Sequence, residues 1–177
     1  MEEKIKTHIA NKEWSMAVGL LYDLVLANPT DSRYTINLMY LLHDILLEQE
    51  YSDDENIYFA GLLEYLFCKS YPLFNNNAVY LFFIGKILHI AEWYLGIDEQ
   101  NNVPTNTLAY RMQLAAWQKE PNNILYEWAC RLTQGEEQET LNLAKQILSD
   151  DNYITWIKSI LFVNDYITEN LETTVSL

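Results

Sequence analysis

The chain has 177 residues, 50% of them apolar, and carries 25 Asp and Glu against 11 Lys and Arg, a net charge of −14 at pH 7. This length and apolar fraction predict one globular domain over residues 1–177. The negative charge argues against binding to nucleic acid, which relies on Lys and Arg, and against adsorption to anionic membranes. Charge of this sign either keeps the protein soluble or attracts a positively charged partner.

Apolar residues recur at helical spacing along the chain, and no stretch alternates for long enough to predict a strand. The chain has only 5 glycines and 4 prolines, so few positions interrupt a helix. The fold class is therefore predicted to be all-α, with nine helices. They are expected at 2–11, 13–27, 31–50, 54–71, 76–96, 105–120, 122–134, 136–149 and 151–170.

The boundaries of these helices follow from proline and from short polar side chains. Every proline falls between two predicted helices, where the missing N–H does least harm. Short polar residues at the helix starts are predicted N-caps, because their side chains accept from free amides of the first turn. The prolines are Pro29, Pro72, Pro104 and Pro121, and the predicted caps are Asp31, Asp53, Asn75, Thr105 and Asp150.

Three features bear on the compartment. The first 14 residues, MEEKIKTHIANKEW, are charged and lack the apolar run of a secretory signal, which predicts a cytoplasmic protein. The stretch from Ala78 to Gly96 has the length of a membrane span but contains three polar residues at intervals of three, so a buried central helix is expected instead. Cys68 and Cys130 lie in apolar runs and are expected to be buried free thiols.

Residues 13–31 resemble the second helix of a tetratricopeptide repeat, because Ala17, Leu21, Leu24 and Pro29 occupy the positions that define that helix. The same interval of twelve residues between an alanine and a proline recurs at 60–72 and 109–121, although less of the pattern is present there. The first-helix signature of the repeat is not convincingly present.

The resemblance implies stacked antiparallel helical hairpins, arranged as a right-handed solenoid or as an irregular helical bundle. A shared fold implies no function by itself.

Motifs for chemistry are scarce. The glycines are isolated, which excludes a P-loop, and the histidines form no pattern for metal ligation, so neither a cofactor nor a metal is predicted. His89 and Glu92 lie one helical turn apart and form either an acid–base pair or a polar helix edge. We expect the protein not to be an enzyme.

Acidic residues concentrate in four stretches between predicted helices: 48–55, 97–100, 135–139 and 149–153. Such stretches are either solvated edges or, if the hairpins stack regularly, parts of one negative face. Tyrosine among carboxylates is typical of a surface that recognises a basic protein, although the two tyrosines at 51 and 58 could equally pack inward. The predicted partner-binding residues are Glu48, Glu50, Tyr51, Asp53, Asp54, Glu55, Tyr58, Asp98 and Glu99.

The composition is similar to that of bacterial toxin-immunity proteins, which are small, acidic, rich in aromatic residues and without chemistry of their own. This similarity implies neutralisation of a basic, nuclease-type toxin by covering its active cleft. The alternative is a repeat-type adaptor or chaperone that binds a peptide or protein in a concave groove. The oligomeric state is not predicted.

Overall fold

The computed structural model describes residues 1–48, 53–99 and 102–176. Over these ranges the chain forms ten α-helices and two short 3-10 turns, with no β-strand, which confirms the all-α prediction. The helices are α1 (Glu2–Ala10), α2 (Trp14–Ala27), α3 (Ser32–Glu48), α4 (Asp53–Phe74), α5 (Ala78–Ala91), α6 (Leu108–Lys119), α7 (Ile124–Gln134), α8 (Glu137–Leu148), α9 (Asp151–Ile160) and α10 (Tyr166–Ser176). The 3-10 turns are Glu92–Leu95 and Pro104–Asn106.

Two helix starts have the predicted caps. The Asp31 carboxylate accepts a hydrogen bond of 2.9 Å from the amide of Arg33, and Asp150 accepts one of 2.9 Å from the amide of Asn152. These bonds satisfy amides that have no partner within the helix. Asp53 is the first residue of α4, but its side chain lies outside the described part of the chain.

Two other helices begin later than predicted. Asn77 caps α5 and Thr107 caps α6, each two residues beyond the predicted caps Asn75 and Thr105. The first shift arises because α4 continues to Phe74, which leaves residues 75–77 to form the turn. The second arises because residues 104–106 form a 3-10 turn before α6.

The prediction that Pro72 lies between two helices is wrong, because α4 runs two residues past it. The last turn of α4 is held by its contacts with α5. The Ser70 and Tyr80 hydroxyls form a buried hydrogen bond of 2.7 Å, and the rings of Phe74 and Tyr80 pack with centroids 5.4 Å apart. Tertiary packing therefore overrides the local preference of proline to end a helix.

The predicted last helix, 151–170, is divided into α9 and α10. Asn37 on α3 is fully buried, and its side chain makes four hydrogen bonds, three of them to the break between α9 and α10. Its Nδ2 donates to the carbonyls of Ile160 (2.6 Å) and Arg33 (2.8 Å), and its Oδ1 accepts from the amides of Phe162 (2.8 Å) and Val163 (3.3 Å). The amide groups freed by ending the helix are thus satisfied by a side chain from a distant part of the sequence.

Helix α5 occupies the centre of the core, and 11 of its 14 residues are buried. Together with the 3-10 turn that follows, it forms the only stretch of the described chain long and apolar enough to cross a membrane. Of that stretch, Ala78–Leu95, 67% is buried inside the protein, which is the behaviour of a core helix.

Helices α5 and α6 approach each other closely at Gly85. A Cβ at position 85 would lie 3.0 Å from Cγ of Gln113 and 3.1 Å from the carbonyl oxygen of Ala109. Gln113, which replaces an apolar residue of the repeat pattern, is buried and donates to the carbonyl of Gly85 at 3.0 Å. Ala109, the alanine of the interval 109–121, therefore lies at a close helix contact.

Consecutive helices pack on one another along much of the chain, as helical hairpins do, with α2 on α3, α3 on α4, α5 on α6 and α7 on α8. Helix α3 also contacts α9, from the opposite end of the sequence. In a regular solenoid each repeat contacts only its neighbours. The division into tetratricopeptide-like repeats stays a prediction.

Candidate protein-binding surface

Helix α4 carries apolar residues on two different faces. The buried face follows a spacing of three and four residues and packs into the core, through Phe59, Leu63, Leu66 and Phe67. On the outer flank several large apolar side chains are exposed to solvent: Tyr58 by 57%, Tyr65 by 48% and Leu73 by 69%. Several large exposed apolar residues on one side of a helix need a reason that a single exposed residue does not.

The connection between α3 and α4 carries most of the predicted site. Glu48 is the last residue of α3 and Asp53 is the first residue of α4, so the backbone position of each is described. Their side chains, and the whole of Glu50 and Tyr51, lie outside the described residues.

Three predicted residues of this group are described in full. Asp54 is exposed, and Glu55 lies at the junction with α2, where its Oε1 accepts a hydrogen bond of 3.4 Å from Ser15. Tyr58 follows one helical turn later and is 57% exposed, so it does not pack inward. The structure thus places two carboxylates and an exposed phenol on neighbouring positions of one helix surface.

The second predicted acidic pair has at least one structural role. Glu99 accepts a hydrogen bond from the amide of Leu108 and forms an ion pair of 3.8 Å with Arg111, so it stabilises the start of α6. Asp98 is exposed. The 3-10 turn that precedes this pair contacts the end of α3, because the hydroxyl of Tyr94 donates to the carbonyl of Leu46 at 3.4 Å.

In the remaining acidic stretches, 135–139 and 149–153, carboxylates stabilise helices α7 to α9. Glu136 forms an ion pair of 2.9 Å with Arg131, and Asp150 caps α9. These carboxylates therefore have local structural partners. One continuous negative face stays a prediction.

A groove between α2 and α4 was not predicted from the sequence. It has a volume of about 180 Å³ and continues from the exposed flank of α4. Its walls include Tyr22, Val25 and Leu26 from α2, and Tyr65, Lys69 and Leu73 from α4. The signal was present in α4, where apolar residues occupy the outer flank in addition to the core face, but one helix alone does not reveal which helix lies beside it.

His89 and Glu92 do line a common pocket, of about 180 Å³, together with Glu99 and Thr107. Burial lowers the pKa of His89, Lys86 acts in the same direction, and Glu92 opposes both. Among the residues that the structure describes, no group of three or more His, Cys, Asp or Glu is arranged to hold a metal ion.

Comparison of the chain with protein-family models, with curated proteins and with solved structures gave no match. The described geometry defines an all-α protein with an acidic, tyrosine-containing surface at the start of α4. An apolar groove lies further along α4, between that helix and α2.

Proposed function

We propose that this protein is an acidic protein-binding module that captures a basic protein, and that it acts as an immunity protein against a nuclease-type toxin. The observation that carries the proposal is the surface at the start of α4. Exposed Tyr58 stands there one turn from Asp54 and Glu55, next to further exposed apolar side chains.

The two kinds of side chain make different contributions to binding. Carboxylates on a chain with a net charge of −14 steer a cationic protein towards the surface and accelerate association. Tyr58 supplies a large contact area with few rotatable bonds, which is typical of residues at the centre of an interface. A nuclease offers a matching surface, because its substrate cleft must attract phosphates.

The second candidate is a repeat-type adaptor or chaperone, and the groove between α2 and α4 favours it. The segment that resembles a tetratricopeptide helix forms α2, and its Ala17 is fully buried at a helix contact. In this function the apolar groove, rather than the acidic surface, is the main determinant of binding.

The proposed function is tested by affinity capture from native lysate with the wild-type chain and with an Asp54→Asn, Glu55→Gln, Tyr58→Ala variant. We expect the wild type to enrich a basic protein and the variant to lose it. The matched control is Glu137→Gln, Glu139→Gln, which removes two exposed carboxylates from the first turn of α8.

Purified partner is then measured against all three proteins at low and high salt. Loss of association rate in the variant but not in the control supports the proposal, since steering weakens as salt rises. An acidic partner, or a basic one that binds all three equally, contradicts it.

A further inference from the structure

The outer flank of α4 forms one continuous stripe towards α2. Its members are separated by three or four residues, so they lie one above another on a helix. The stripe begins at Glu55, which contacts Ser15 on α2, and ends at the rim of the groove. Its residues are Glu55, Tyr58, Leu62, Tyr65, Lys69 and Leu73.

Helix α2 supplies the facing wall. Ser15 contacts α4 at the start of both helices, and Tyr22 and Leu26 line the groove further along. The two helices therefore run in the same direction, and both pack on α3. Thr35 of α3 also lines the groove, which places α3 at its floor.

The dimensions suit a helix better than a small molecule. The α4 wall of the groove runs from Tyr65 to Leu73, and the exposed stripe extends it back to Tyr58. Groove wall and stripe together cover 15 residues of helix, or about 22 Å at 1.5 Å per residue. This length is about four helical turns. Apolar anchors one turn apart along a groove are the pattern by which one amphipathic helix is recognised.

The charged residues near the groove indicate what kind of helix would bind there. Asp54 and Glu55 stand at the end of the stripe where α2 and α4 meet, so that end attracts cations. Lys69, whose Nζ lies 5.8 Å from the centre of the Tyr65 ring, is the basic group of the groove wall. The complementary ligand is therefore apolar along its length and cationic at the end near Asp54.

We infer that the groove between α2 and α4 seats one amphipathic helix of the basic partner, with its apolar face on Tyr22, Leu26, Tyr65 and Leu73 and its cationic end over Asp54 and Glu55. The inference rests on the proposed function, and it names the element of the partner that is recognised. Leu26 and Leu73, which are 61% and 69% exposed, are apolar side chains that such a helix would cover.

The test uses a fluorescein-labelled peptide of about 15 residues with Leu at helical spacing, Lys concentrated at one end and Ala at the other positions. A peptide of the same composition with alternating Leu and Lys, and one with Glu in place of Lys, are the controls. Fluorescence anisotropy measures binding, and amide hydrogen exchange locates it. We expect only the first peptide to bind appreciably and to protect amides of α2 and α4.

Two variants separate the apolar contribution to peptide binding from the electrostatic contribution. Tyr65→Ser with Leu73→Ser is expected to weaken binding of the peptide about tenfold at any salt concentration. Asp54→Asn with Glu55→Gln is expected to weaken it mainly at low salt. Leu132→Ser removes a 39% exposed leucine from α7 and is expected to leave binding unchanged.

The outcomes distinguish this inference from the proposed function. Three results would overturn the inference that a helix binds in the groove. They are no peptide binding up to about 1 mM, protection of amides in other helices, and equal losses of affinity in the groove variant and in Leu132→Ser. If the acidic residues still govern capture of a basic protein while the groove variant has no effect, the partner is held without a helix in the groove. If they do not govern capture, the proposed function itself fails.

Discussion

Replacing Asn37 by Leu should destabilise the fold strongly, because this buried side chain joins α3 to the segment between α9 and α10. The change removes four hydrogen bonds and leaves the amides of Phe162 and Val163 without their acceptor. An unsatisfied buried polar group costs about 1–3 kcal/mol, while burial of the leucine returns about 2 kcal/mol. Three such groups lose their partner, the amides of Phe162 and Val163 and the carbonyl of Ile160. We therefore expect a net loss on the order of 4 kcal/mol in the free energy of unfolding, and at least about 1 kcal/mol.

Urea unfolding measures this loss as a lower midpoint with an unchanged slope. Hydrogen exchange gives the local result, since the amides of Phe162 and Val163 should exchange faster than those of α5. Asn142→Leu, an exposed position on α8, is the matched control and should change stability by less than about 0.5 kcal/mol. A loss below about 1 kcal/mol for Asn37→Leu, with unchanged exchange at 162–163, would refute the reasoning.

Three further substitutions test the core. Gly85→Ala should cost about 1–3 kcal/mol, seen as a lower Tm, because the added Cβ meets the backbone of α6. Burial lowers the pKa of Lys86 to about 8, so stability should rise between pH 8 and 10.5 as the folded state releases this proton first. Lys86→Met should remove that rise and stabilise the protein at pH 7, by about 3 kcal/mol at most; an unchanged pH profile contradicts this. Burial lowers the pKa of His43 to about 4, so stability should fall as pH drops from 6.5 to 4. His43→Leu should make urea midpoints less dependent on pH over that range, and a variant with the wild-type profile would show that other groups cause the fall.

Helical periodicity was enough to predict the fold class and most helix positions, because the core stripes extend over several turns in each helix. It failed where the deciding contact is distant in sequence. Asn37 ends α9 from 123 residues away, and Tyr80 holds the turn of α4 that contains Pro72. A local pattern contains neither partner.

The candidate site was predicted only in part for the same reason. Charge clustering selected Asp54, Glu55 and Tyr58 as candidates, since loops and helix starts carry solvated groups in most folds, and their role in binding stays a prediction. The groove was missed, because its two walls come from helices separated in sequence by the whole of α3. Glu99 was assigned to the binding surface, and it also caps and pairs with α6, a contact that charge alone does not show.

The two cysteines were expected to be alike and are not. Cys130 is buried and burial raises the pKa of its thiol to about 12, whereas Cys68 is exposed on α4, one residue before Lys69 of the groove wall. A thiol-specific dye applied to the folded protein should therefore attach to Cys68 and spare Cys130. The wild-type chain thus carries its own attachment point for a fluorescent reporter on α4, and no engineered cysteine is needed to follow that helix in solution.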